Sequence, residues 1–256
     1  MKKLNFALLF LFCLLLAGNA DAKSGTKVIA HRGYWRCEGS AQNSIRSLER
    51  ANDIRAYGSE FDVHLTSDNV IVVNHDGTIQ GFDIQNTPYD QLKNLQLANG
   101  ETLPTLRQYL EKGKQLKHIR MILEIKEHAT PERNHEAADK VYAMVKELGM
   151  TGRTEFISFS LEACKEMIRI APKSKVYYLN GELSPAQLKQ LGFAGLDYQD
   201  KVMDEHPEWF GEAKQNNLKV NVWTVDDEAK MEAYSKEGAD FITTNEPVKA
   251  LAIVRK

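Results

Sequence analysis

The sequence predicts an α/β fold, a (β/α)8 TIM barrel with a small inserted subdomain between its second and third strands. Three observations carry that prediction. Eight short β-branched or aromatic runs alternate with longer amphipathic runs in βαβα order. They fit within about 230 residues, the usual span of one such barrel. No glycine-rich dinucleotide turn follows the first strand, which disfavours a doubly wound sheet.

Strands are expected at Lys27–His31, Ser59–Leu65, Ile119–Ile125, Glu155–Phe159, Lys175–Leu179, Gly195–Tyr198, Lys219–Thr224 and Asp240–Thr243. Helical periodicity covers Ser44–Tyr57, Pro131–Leu148, Leu161–Ile170, Pro185–Leu191, Asp204–Asn216, Asp227–Glu237 and Pro247–Ile253. Ser184-Pro185 and Asp226-Asp227 are helix-start signals, and Gly149 and Gly192 stand at C-cap positions. One stretch leaves the rhythm: Val70–Asn74, a polar loop, a short helix at Tyr89–Leu95 and another at Leu106–Lys112. The insertion is expected at about residues 76–117, hanging over one end of the barrel, and long excursions of this kind are often functional. No fixed-period repeat, low-complexity tract or linker marks a second domain, so residues 23–256 are expected to form one.

The chain start is expected to be a cleavable secretory signal, Met1–Ala22. Lys2 and Lys3 precede the apolar run Phe6–Ala17, and Ala20-Asp21-Ala22 offers a small-x-small cleavage site. The run is shorter than the roughly 20 residues that span a bilayer. Cys13 lies inside it rather than after the small residues, which argues against lipidation. Removing 22 residues leaves 234, in the periplasm or secreted, and takes the formal charge from -2 to -3. That balance speaks against nucleic acid and against stable membrane association. Cys37 and Cys164 remain, without metal-finger spacing, and read as two unpaired thiols.

Four segments carry chemistry, each in or just after an expected strand: His31-Arg32-Gly33, Glu60-Phe61-Asp62, His75-Asp76 and Glu124-Ile125-Lys126. Strand side chains alternate, so Glu60, Asp62 and His64 share one face while Phe61 and Val63 suit the barrel–helix layer. Both faces of a barrel strand are buried, which denies these acids a solvated face. Three acids aimed at one small volume repel one another and hold protons unless a divalent cation relieves them. All-oxygen ligation suits Mg²⁺ or Ca²⁺. His31 and His75 supply two groups that titrate near neutrality, one to activate an attacking oxygen and one to protonate a departing alkoxide. Arg32 suits bidentate phosphate recognition. With one phosphodiester, one divalent ion, Arg32, Lys126 and three acids, the assembled site is neutral. His64 lacks a partner motif and is assigned a supporting place, Trp223 a wall of the pocket. His118, His128, His135 and His206 read as surface residues.

Over nearly the whole mature length the chain resembles the glycerophosphodiester phosphodiesterase family. The matching stretches are VIAHRGY, EFDVHLTSDNVIVVNHD, LPTLRQYL, ILEIK, ISFS, VWTVDD and ITTNEP. The resemblance implies hydrolysis of small glycerophosphodiesters to glycerol 3-phosphate and an alcohol, with catalytic histidines at His31 and His75. It implies one Ca²⁺ or Mg²⁺ on Glu60, Asp62 and Glu124, and substrate contacts from Arg32, Lys126 and Trp223. Two positions depart from the family pattern. Ala41-Gln42-Asn43-Ser44 replaces Pro-Glu-Asn-Thr, so Gln42 keeps a carbonyl oxygen and loses a charge. Thr244-Asn245-Glu246-Pro247 replaces Thr-Asp-x-Pro, which reads as a change at a helix cap. Rival readings are a phospholipase D-like or phosphoinositide-cleaving enzyme acting on intact lipids, and a non-catalytic periplasmic phosphodiester-binding protein.

Overall fold

The structure, a computed structural model, describes residues 25–255. The expected signal, Met1–Ala22, lies outside the described residues. Eight parallel strands close a barrel: β1 (Lys27–Ala30), β2 (Gly58–Leu65), β3 (Arg120–Ile125), β4 (Thr154–Ser158), β5 (Val176–Tyr178), β6 (Gly195–Gln199), β7 (Lys219–Trp223) and β8 (Phe241–Thr244). Closure comes from β1, which pairs with β8 through Ile29↔Thr243 and with β2 through Ala30↔Ser59. Each lies within a residue or two of the run expected from sequence.

Alternation along the strands divides the apolar residues into two cores. Val28, Phe61, Val63, Leu123, Ile125, Phe156 and Val222 point outward, into the main cluster shared with the helices. Ile29, Ile122, Ile157, Tyr177 and Phe241 point inward and fill the barrel. Phe61 is fully buried and stacks on Tyr109 with ring centroids 4.4 Å apart. Burying a side chain of this size contributes about 1.5–3 kcal/mol. The outward set thus anchors β2, and the inward set Glu60, Asp62 and His64 is carried along with it.

Outer helices start where capping side chains permit. Ser44, Thr130, Ser160 and Asp227 accept from the backbone N–H three residues on, and Ser184 forms a full capping box with Gln187. The helix expected at Asp204–Asn216 is instead two, Asp200–Glu205 and Glu208–Gln215. Pro207 lies between them, and a proline drives the preceding residue out of the helical region; His206 accordingly sits at φ -128, ψ 60.

Between β2 and β3 the chain first runs back along β2 as the antiparallel strand Ile71–Val73. A small hairpin, Thr78–Ile79 with Phe82–Asp83, and two short helical turns follow. This stretch packs on its own apolar cluster of Val72, Ile79, Ile84, Leu92 and Leu103. Helix Leu106–Gln115, which the sequence assigned to the excursion, contacts β3 and the helices Ile45–Asp53 and Pro131–Glu147. Its buried residues Leu106, Tyr109 and Leu110 join the main core, so it occupies the helix layer as the partner of β2.

Candidate active site

The C-terminal ends of β1, β2, β3 and β7, with the loops after them, bound a cavity of about 510 Å³. His31, Arg32, Glu60, His75, Glu124, Lys126 and Trp223 all line it. Asp62 is buried beside it, completing the set of eight side chains expected from sequence.

The His31-Arg32-Gly33 turn is built by left-handed backbone. Arg32 has φ 54, and Gly33 has φ 76 with its Cα against Ser47; an added Cβ would stand 2.3 Å from Ser47 Oγ. In this conformation the Arg32 backbone N–H donates to Glu60 Oε2 at 2.7 Å. The Arg32 guanidinium is held by Gln42, whose Oε1 accepts from Nη1 at 2.6 Å. Gln42 therefore orients the arginine without neutralising it.

Glu60, Asp62 and Glu124 each present an oxygen within 4.8 Å of the others, and all three are buried. Among the described residues, Glu60 Oε1 has no hydrogen-bond partner. Burial, then repulsion from Asp62 and Glu124, raises the Glu60 carboxyl well above the usual range. Burial and the Asp62 charge push Glu124 up to about 8. At Asp62 burial acts in the same sense, but the charges of Lys126 and His75, with hydrogen bonds from Asn43 and Lys126, prevail and hold it down at about 2. Asn43 clamps Asp62 twice: Nδ2 donates to Oδ2 at 2.8 Å, and Oδ1 accepts from the Asp62 backbone N–H at 3.2 Å. Three crowded carboxylates, with hydrogen bonds missing at Glu60 Oε1 and Glu124 Oε1 among the described residues, fit a hard divalent cation.

Lys126, expected on phosphate, spans Asp62 and Glu124 with Nζ 2.8 Å from an oxygen of each. The two acids raise its ammonium pKa against the opposing effect of burial. Lys126 also lines the cavity, where its ammonium adds positive charge beside the acids.

The two histidines reach the cavity from separate loops. His31 is 18 % exposed; its Nδ1 meets Asn245 Oδ1 at 2.9 Å and its Nε2 lies 4.0 Å from Glu60 Oε2. Burial, then the Arg32 charge, holds the imidazole down at about 4. His75 is more open, and its Nδ1 meets Asp76 Oδ1 at 2.7 Å. Burial lowers its pKa against the opposing effect of the Asp62 charge. His64 acts on its loop: Nε2 meets the His75 carbonyl at 3.3 Å, and Nδ1 meets Gln85 Nε2 at 3.2 Å. The amide nitrogen can only donate, so His64 carries its proton on Nε2 and donates it to the His75 carbonyl.

Trp223 forms a wall as expected, edge-on to Phe159 at 5.6 Å, with Nε1–H donating to the Asp197 carbonyl at 2.8 Å. His128 is not a surface residue: it is 4 % exposed, and its Nε2 accepts from the Leu65 backbone N–H. Asn245 does not cap the following helix. Glu246 is the N-cap residue there, without a side-chain cap, and Asn245 turns to His31 instead. Sequence reasoning also missed Asn43, Phe159 and Asp197. Asp197 is buried against the cavity with Oδ1 unpartnered, and burial raises its carboxyl to about 7. Its place in an inward-facing strand register was the available signal. Among the described residues, Cys37 and Cys164 form no disulfide.

Residues 31–249 match the model of the glycerophosphoryl diester phosphodiesterase family. A glycerophosphodiester phosphodiesterase from Caldanaerobacter subterraneus is 29% identical over 246 residues, spanning 90% of this chain and 98% of its own. The crystal structure of a glycerophosphodiester phosphodiesterase from Parabacteroides distasonis is 60% identical and superposes with a TM-score of 0.90, covering 91% of this chain and 98% of that one. A phosphodiesterase from Oleispira antarctica, solved in complex with the product sn-glycerol-3-phosphate, shares the fold at 24% identity, with a TM-score of 0.76 over 90% of this chain and 97% of that one.

Proposed function

The chain belongs to the glycerophosphoryl diester phosphodiesterase family, and on that premise we propose that it hydrolyses small glycerophosphodiesters to glycerol 3-phosphate and an alcohol, with one divalent cation and two histidines. The observation that carries this reading is the convergence of three buried carboxylates, two histidines and two cationic side chains around one cavity.

Glu60, Asp62 and Glu124 would hold the cation, Ca²⁺ or Mg²⁺. A cation bound there would supply Lewis-acid polarisation of a phosphoryl oxygen and offset negative charge developing on the phosphoryl oxygens. Arg32, oriented by the neutral Gln42 amide, binds and orients the phosphodiester. The Lys126 ammonium, which lines the cavity, supplies a second positive contact. Of His31 and His75, one takes the proton of the attacking oxygen and the other returns a proton to the departing alkoxide. Trp223 and Phe159 close one side of the cavity and exclude water from the apolar part of the substrate.

A free diester suits the surface better than a bilayer lipid. Among the described residues, the exposed large apolar side chains are Phe82, Leu191 and Val248, on three separate elements rather than one patch. Maturation by cleavage after Ala22 and a periplasmic or extracellular location are part of the same proposal, as is residue 23 onward acting as one barrel domain.

The test is a panel of glycerophosphodiesters assayed for glycerol 3-phosphate release, with chelator and then with each metal restored. Turnover should vanish with chelator and return with one of the two ions. His31→Ala and His75→Ala should each abolish turnover in folded protein; near wild-type activity in either would refute the histidine assignment. Tight retention of the diester without release would turn the reading to a binding protein.

A further inference from the structure

We infer that Asn245 is a positioning residue for His31: it fixes the neutral imidazole as the Nδ1–H tautomer and presents the bare Nε2 to the cavity. The inference rests on the catalytic reading of His31 but concerns a structural state that can be measured without turnover.

An asparagine amide has an accepting oxygen and a donating nitrogen of nearly equal shape, so its neighbours decide which end faces where. Asn245 has two neighbours whose roles are fixed. On one side is Asp226. Burial pushes its carboxyl up, but hydrogen bonds from Asn245 and Thr244 and the charge of Arg36 prevail and hold it below the usual range. An ionised carboxylate only accepts, so the amide nitrogen faces it; Nδ2 donates to Asp226 Oδ2 at 2.9 Å. On the other side is the Trp35 indole, whose N–H only donates. It reaches Asn245 Oδ1 at 3.0 Å.

The two constraints agree, and they leave Oδ1 as the only atom available to His31 Nδ1, at 2.9 Å. A carbonyl oxygen has a second lone pair and no proton. His31 Nδ1 must therefore carry the hydrogen, and Nε2 must be unprotonated in the neutral ring. Nε2 lies beside Glu60, on the side of the acid cluster. The His31 backbone is tied to the same strand end, its N–H donating to the Thr244 carbonyl at 3.0 Å.

The surroundings lock the relay further. Asp226 Oδ1 accepts from the Asn245 backbone N–H at 2.8 Å and from Thr244 Oγ1 at 3.0 Å. Arg36 lies 3.4 Å from Asp226 Oδ2 and pairs with Glu246 at 2.6 Å. The amide thus lies between a residue at the end of β8, a loop after β7 and the loop after β1. It couples the orientation of His31 to the closure of the barrel between β1 and β8.

The direct test is two-bond ¹H–¹⁵N spectroscopy of histidine-labelled full-length protein, with the His31 signals identified by their loss in His31→Gln. The expected pattern is a pyrrole-like Nδ1 and a pyridine-like Nε2. The reverse pattern in the wild-type protein overturns the inference and leaves the proposed function standing. Asn245→Leu removes the acceptor and should lower kcat about 10- to 100-fold with little change in KM. Asn245→Asp alone sets two carboxylates face to face. Combining it with Asp226→Asn exchanges the two groups and restores the pattern: the introduced amide donates to the introduced carboxylate, which accepts from Trp35 and His31. That double variant should recover most of the kcat lost in Asn245→Leu, together with the Nδ1–H signature. A double variant no better than Asn245→Leu overturns the relay, even where Asn245→Leu itself folds poorly. Should His31→Ala retain activity while the tautomer is as expected, the functional premise fails and the positioning stands.

Discussion

The barrel buries acids at both of its ends, and the two ends treat them differently. Glu155, near the starts of the strands, has a side chain only 4 % exposed, as has Glu60 at the opposite end. Glu155 is fully engaged. It accepts from Tyr57 at 2.7 Å, Tyr177 at 3.1 Å and Lys175 at 3.2 Å, with Arg120 Nε at 3.5 Å. Glu60 has one oxygen on the Arg32 backbone and the other on nothing, with two more acids beside it. Burial is the same; saturation is not. A buried carboxylate surrounded by donors is satisfied by the fold itself, whereas a cluster left short of donors among like charges could hold a cation.

That contrast sets the largest expected effect. Glu60→Gln should cut turnover about 10³-fold or more, reflecting the several kcal/mol of charge stabilisation a bound ion supplies. Its effect on the metal-free fold should run the other way. The raised carboxyl makes ionisation costly in the folded protein, so wild-type stability without metal falls as pH rises through the folded-state value. Glu60→Gln removes that loss, and thermal melts in chelator should show a flatter, equal or higher profile. At the opposite end, Glu155→Gln should cost about 2 kcal/mol of stability by mismatching buried hydroxyl and ammonium donors. Its turnover should stay within a few-fold of wild type. Urea titrations alongside kinetics check both halves; a Glu155 variant that loses activity without losing stability would break the comparison.

The same crowding predicts proton release. Glu124 is held near 8 in the metal-free site, so at pH 7 it keeps a proton that an ion must displace. Ca²⁺ or Mg²⁺ affinity should therefore rise from pH 6 to 8. Calorimetry in two buffers of different ionisation heat reads the released proton. An affinity flat over that range would contradict the assigned crowding.

Smaller effects sharpen the account of how the acids are held. Gly33→Ala meets both a positive φ and the Ser47 side chain, and should cost about 1–3 kcal/mol while displacing the Arg32 backbone from Glu60. Gln42→Glu should partly neutralise Arg32 and raise KM a few-fold at unchanged stability, read from initial rates and a thermal melt. An unchanged KM would detach Arg32 from the substrate.

Much of this was legible in the chain because it is written locally. Alternating β-branched runs located all eight strands, and the period of two placed Glu60, Asp62 and His64 on the inward face without coordinates. Chemistry at strand ends followed from that placement. What sequence misread depends on partners distant in the chain. Asn245 reaches His31 across 214 positions and Asn43 reaches Asp62 across 19, so an amide in a loop gave no sign of its office. His128 looked exposed in a polar stretch, yet it satisfies the Leu65 amide. The helix Leu106–Gln115 was assigned to the excursion because the layer it packs on lies outside its own segment. The pairing of Lys126 with Asp62 on the neighbouring strand was likewise not legible from its own segment.

The central claim is that Glu60, Asp62 and Glu124 form one cation site. Crystals grown with Mn²⁺ and measured at its absorption edge test it most directly. The account predicts a single strong anomalous peak bounded by oxygens of all three residues, lost in Glu60→Gln. A peak elsewhere, or none at a concentration that supports turnover, would contradict it.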